Sequence, residues 1–100
     1  MRLSITFTAD GLLLSGVLNN QTIQRDLFVS HKRELALLNT LKIDLQGLTN
    51  IDSAGLAWLL NLFRDARTAK KTLAWDHIPD KLLQLARLSS AESFFVTSQP

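Results

Sequence analysis

Asp52 and Ser53 stand together ahead of Ala54, Gly55 and an apolar run, and this is where the chain comes nearest to presenting reactive or ligand-binding groups. An Asp followed by small, permissive residues at a helix start leaves the first backbone N–H groups uncovered and pointing outward. Such an end attracts anions or the acceptor atoms of a partner. Asp52 also has a purely structural reading, as an N-cap accepting from the N–H of Ala54 or Gly55. Ser53 has two: a small polar residue suited to a first helical turn, or a hydroxyl held out on a docking surface.

The other reactive side chains form no constellation in the sequence. His31 and His77 are far apart and have no ligand-like spacing with Asp or Glu, so no metal site is expected, and His31 reads as a residue at the edge of the core. Around the serines there is no Gly-x-Ser-x-Gly elbow. The four glycines are too scattered for a phosphate-cradling loop. Asp44 and Asp52 belong to a strand and to the far side of a loop, so they are read as structural rather than as a catalytic pair. No enzyme activity and no cofactor are expected.

Composition narrows the class further. A chain of 100 residues with 46% hydrophobic and 20% charged side chains fits a single domain, residues 1–100, with one core and little left over to enclose a deep pocket. Cysteine is absent, which removes disulfides and thiolate metal sites and allows a reducing compartment. The formal net charge of +2 is too small for a nucleic-acid footprint. Arg64, Arg67, Lys70 and Lys71 are the densest positive group, and their place in the last turns of a helix suits the negative end of its dipole. Met1 to Ile5 lacks the pattern of a signal peptide, and the run from Leu56 to Leu60 is far short of the ~20 residues that span a bilayer. A cytoplasmic chain without direct membrane insertion is expected.

These residues must be positioned by elements read from hydrophobic periodicity. Ser4–Thr8 alternates, a turn follows at Ala9-Asp10-Gly11, and Leu12–Ser15 pairs back as the second strand of a hairpin. Thr22 is a candidate N-cap for a helix carrying Ile23, Leu27, Phe28, His31, Leu35 and Leu38 on one face. Leu41–Leu45 alternates again, and Gly47 with Thr49-Asn50 marks a loop. A helix then runs from Ser53 to about Lys70, Leu73–Trp75 forms a strand, and Pro79 precedes a third helix with Leu82, Leu83, Leu85, Ala86 and Leu88. Phe94-Phe95-Val96 is read as a final strand or a packed tail. The order ββαβαβα predicts an α/β fold, a mixed sheet with helices packed against it.

The stretch from Ile43 to Leu56, with Asp44-Leu45, a short loop, and Asp52-Ser53-Ala54-Gly55-Leu56 opening a helix, resembles the STAS domain family. Leu14-Ser15-Gly16, Asp80-Lys81 and Leu85–Leu88 also fall where that family places them, so the resemblance covers nearly the whole chain. It implies a STAS-type sheet, with the first strands antiparallel and the later ones parallel, and a non-enzymatic protein that acts by docking. Anti-sigma-factor antagonists of the family carry a phosphorylated Ser immediately before the Gly, and Ala54 occupies that position here. The MlaB-type members, STAS subunits of the Mla phospholipid-trafficking ABC transporter, carry Ser or Thr directly after the Asp, and Asp52-Ser53-Ala54 is more similar to these.

The resemblance therefore implies an accessory subunit of a phospholipid-transporting ABC system that maintains outer-membrane lipid asymmetry. It would bind the cytoplasmic, MlaF-like ATPase and sit peripheral to the inner membrane through that partner. The alternative is an anti-sigma-factor antagonist switched by phosphorylation, with Ser53 as the remaining candidate site. A small-molecule or nucleotide-binding STAS domain is the third reading, supported only by the bare helix start. On a helical wheel Leu56, Leu59, Leu60, Phe63 and Ala66 form one apolar face, with Trp58 and Leu62 to its side. The first face must cover the sheet. The second either packs on a neighbouring helix or extends the docking surface, and tryptophan's enrichment at binding hot spots favours a partner for Trp58. The expected partner-binding set is Asp52, Ser53, Ala54, Gly55, Trp58 and Leu62.

Overall fold

A computed structural model of the chain describes residues 2–23 and 32–96. Strands β1 (Leu3–Phe7) and β2 (Gly11–Leu18) form the expected hairpin, antiparallel with Phe7 opposite Leu12. The Thr8 N–H closes the turn on the Gly11 carbonyl at 2.9 Å, and the Thr8 hydroxyl donates to the Asp10 carboxylate at 3.2 Å. A short helix α1 (Lys32–Ala36) buries Leu35. The expected helix with Leu27, Phe28 and His31 falls largely on residues 24–31, outside the described residues. Thr22, its candidate cap, turns its hydroxyl back to the Val17 carbonyl at 2.7 Å and accepts from the Asn19 N–H at 2.9 Å.

Strand β3 (Thr40–Ile51) continues through the segment expected to be a loop. Its second half pairs with β2 in parallel, past register shifts between Leu13 and Ser15 and between Gly16 and Val17. Gly47 is therefore a close-approach residue in a bulged ladder, not a turn. A Cβ there would lie 2.5 Å from the Ser15 Cβ, a distance no side chain tolerates. Helix α2 (Ser53–Thr68) follows, then β4 (Thr72–Asp76), parallel to β3, and α3 (Asp80–Leu88). Residues Ser93–Val96 form a final helical turn, α4, which corrects the strand alternative there, while the packing of Phe95 into the core agrees with a packed tail. The run Phe94-Phe95-Val96 has strand composition, but packing of Phe95 into the core decides its shape.

The sheet has the order β1-β2-β3-β4, giving a mixed α/β fold with an antiparallel start and parallel continuation. Strand alternation separates its faces. Leu12, Leu14, Leu41, Ile43, Leu45 and Leu73 are buried, whereas Ser4, Thr6, Lys42 and Gln46 are exposed. Helix α2 lays Leu56, Leu59, Leu62 and Ala66 on the buried side, each large side chain contributing about 1.5–3 kcal/mol of apolar burial. Leu82 and Ala86 bring α3 into the same cluster, which extends to Ala91 and Phe95.

Candidate functional site

Helix α2 starts beside the ends of β2 and β3, where Leu18 and Ile51 pair. Asp52 sits just outside the helix in extended backbone (φ −123°, ψ −174°) and accepts from the Gly55 N–H at 3.0 Å, which settles the choice between its two expected donors. Its other oxygen accepts from the Asn20 N–H at 3.4 Å, and its own N–H donates to the Leu18 carbonyl at 3.2 Å. The cap thus ties the helix start to the turn that follows β2. Ser53 is exposed and Ala54 half-buried. Gly55 is buried, and a Cβ on it would stand 2.4 Å from the Leu18 carbonyl oxygen, so glycine here lets the helix approach the sheet. Gly55 shapes the tip from below while Ser53 faces outward.

Trp58 and Leu62, expected to extend the docking face, are only 7% and 2% exposed. Their stripe is turned into the molecule, the packing alternative of the two left open by the wheel. The Trp58 indole N–H is buried without a hydrogen-bond acceptor among the described residues. The outward side of α2 carries different residues. Ala57, Leu60, Phe63, Arg64 and Arg67 line a groove with Phe94 on its opposite bank, with a volume of ≈ 660 Å³. The aromatic side chains there are held in place: Phe63 stacks on Trp75 at 6.5 Å between centroids and meets Phe94 edge-on at 5.4 Å, and the Trp75 indole donates to the Phe94 carbonyl at 2.9 Å. Arg67 lies over the Phe63 ring, 5.9 Å from its centroid.

The family model described as "Mlab, STAS domain" matches residues 1–97. The chain belongs to the STAS domain family. A search of curated proteins gives no match. Among solved structures this STAS domain is similar to the anti-sigma factor antagonist SpoIIAA in its unphosphorylated form, with a TM-score of 0.62 at 12% identity, covering 86% of this chain and 82% of that one. At that identity the likeness establishes the shared fold, with its mixed sheet and packed helices.

One cluster of this STAS domain was invisible in the sequence. On the open face of the sheet the parallel register sets Asp44 beside Asp76, and His77 follows with a left-handed backbone (φ 54°). The His77 Nδ1 lies 3.1 Å from Asp44 Oδ1 and 3.5 Å from Asp76 Oδ2. These three side chains could hold a cation, since their ligand atoms all lie within 4.8 Å of one another. Lys42 Nζ lies 3.7 Å from Asp76 Oδ2, so a positive charge already stands beside these carboxylates. Only the strand register could have revealed it, because Asp44 and Asp76 are 32 positions apart. Phe94 was missed as a site residue for the same kind of reason: its partners Phe63 and Trp75 come from two other elements. Among the described residues no helix is long and apolar enough to cross a membrane.

Proposed function

We propose that this STAS domain is a non-catalytic accessory subunit that binds the cytoplasmic ATPase of an Mla-type, phospholipid-transporting ABC system and supports its assembly or activity. The match to the Mlab-described family over residues 1–97 carries this reading. The tip agrees with it: Ser53 presents a hydroxyl directly after the capping Asp52, and the position before Gly55 is Ala54, which offers no phosphorylatable group. Docking needs no chemistry in the subunit. A protein that binds one arrangement of its partner more tightly shifts the population toward that arrangement. Location at the inner membrane then follows from the ATPase rather than from any membrane contact of this chain.

The test is co-purification with an Mla-type ATPase and measurement of ATP hydrolysis with and without the subunit. Ser53→Lys, which places a bulky charge on an exposed position without touching the core, is expected to abolish co-purification and return hydrolysis to the level of the ATPase alone. Wild-type binding that survives this substitution would remove the tip from the interface. Trp58→Ala is unsuitable for this purpose, because Trp58 is a core residue and its loss damages the fold.

The second reading is a phosphoregulated anti-sigma-factor antagonist, favoured by the likeness to SpoIIAA. Ala54 in place of a serine weighs against it. Incubation with anti-sigma kinases followed by intact-mass measurement separates the two: a phosphate on Ser53 accompanied by loss of partner binding would establish the switch in place of the transporter role.

A further inference from the structure

The groove on the outward side of α2 combines apolar and aromatic side chains with two arginines. Ala57, Leu60 and Phe63 recur along α2 and line the groove with Phe94, and Arg64 and Arg67 lie on the same helix face among them. From Ala57 to Arg67 the groove follows the helix for about 15 Å, at 1.5 Å per residue. This length accommodates two to three turns of a second helix. Both guanidinium groups are exposed, and neither forms an ion pair among the described residues; Arg64 donates to the Asn61 side-chain oxygen and Arg67 rests on the Phe63 ring. The helix dipole favours a cation in the last turn, which accounts for Arg67, whereas Arg64 lies a turn earlier.

Phe94, on a four-residue turn, is 39% exposed although its carbonyl is pinned by Trp75 and its ring by Phe63. An apolar side chain held in a fixed position at the surface costs little further ordering when a partner covers it. The groove is bounded by one face of α2 and by Phe94. An acyl chain requires a site that encloses most of its surface, whereas an amphipathic helix needs a groove that covers one face.

We infer that this groove receives an amphipathic helix of the partner ATPase whose apolar residues, spaced three and four apart, cover Leu60, Phe63 and Phe94 while flanking carboxylates pair with Arg64 and Arg67. The inference rests on the docking reading proposed above and adds a second contact, displaced along α2 from the Ser53 tip. It also gives a use to Arg64, an exposed cation beside aromatic surface that lies a turn before the helix end.

Titration of the full-length chain into a purified Mla-type ATPase, at low and physiological salt, tests it. The double variant Arg64→Glu/Arg67→Glu, with both positions exposed and the fold checked by circular dichroism, is expected to bind roughly 30-fold more weakly and to lose most of the salt dependence. Arg64→Gln/Arg67→Gln, which removes charge without reversing it, is expected to lose less. Replacing acidic residues on one surface helix of the ATPase by Arg is expected to restore binding to the reversed variant. If the reversed variant binds within twofold of wild type while Ser53→Lys does not bind, the tip docks and the groove inference is overturned. A wild-type chain that fails to bind the ATPase at all overturns the docking reading, and the groove inference with it. Sedimentation of wild type with phosphatidylglycerol vesicles, together with ATPase binding indifferent to both arginines, overturns it in favour of a lipid surface.

Discussion

Asp52, Ser53, Ala54 and Gly55 are adjacent in sequence and divide the work of the tip. Asp52 closes the helix end, Ser53 is displayed, Ala54 is half-buried beside it, and Gly55 permits contact with Leu18. Gly55 supplies the most direct prediction at this scale. In a helix, Gly→Ala ordinarily gains up to about 1 kcal/mol. Here the added Cβ would meet the Leu18 carbonyl at 2.4 Å and two side-chain carbons, of Ile51 and Leu18, at 2.9 Å. Overpacking of this kind costs about 1–3 kcal/mol, so Gly55→Ala is expected to lower the urea midpoint with an unchanged m-value. A midpoint that stays put or rises would show that the helix start shifts freely. These local roles were largely readable from residue type, because an Asp before small residues at a helix start has few other uses. Trp58 was not, since a wheel shows which side of a helix a residue is on but not what covers that side.

At the scale of elements, the strands and the second and third helices follow hydrophobic alternation, and the structure differs where tertiary contact overrides local preference. The segment from Gln46 to Asn50 contains Gly47, Thr49 and Asn50, a composition that reads as a loop, yet it is strand because β2 supplies a parallel partner along its length. Gly47→Val distinguishes the two descriptions. Valine favours strands by up to about 1 kcal/mol. In this bulged ladder it would collide with Ser15, so the expected result is destabilisation by about 1–3 kcal/mol and faster amide exchange in β2 from Leu14 to Val17. Exchange unchanged from wild type would mean that the β2–β3 pairing does not need glycine there. The outward face of α2 belongs to this scale too: its groove exists only because α4 brings Phe94 against it.

For the molecule as a whole, the buried side chains from Leu12 to Phe95 form one connected cluster, built by the sheet and by residues of every described helix up to the final turn. A single cluster predicts a single cooperative transition. Tryptophan fluorescence, reporting buried Trp58 and half-buried Trp75, is expected to trace the same urea curve as far-UV circular dichroism, with a slope of about 1 kcal/mol per molar for a chain of this size. Two separated midpoints would show that part of the helical layer melts independently of the sheet. By itself the sequence determined the alternation that builds the sheet, the capped start of α2 and the motif that marks a STAS domain, because each depends on residues within one helical turn or one strand. Tertiary structure alone decided which stripe of α2 faces outward, that β3 runs on past Gly47, and that Asp44, Asp76 and His77 meet. Those outcomes depend on strand register and on what packs against a face, and both are set by contacts between residues far apart in the chain. The capped segment from Asp52 to Gly55 is local and readable from residue type, whereas the burial of Trp58 and Leu62 and the meeting of Leu60, Phe63 and Phe94 at one groove depend on packing.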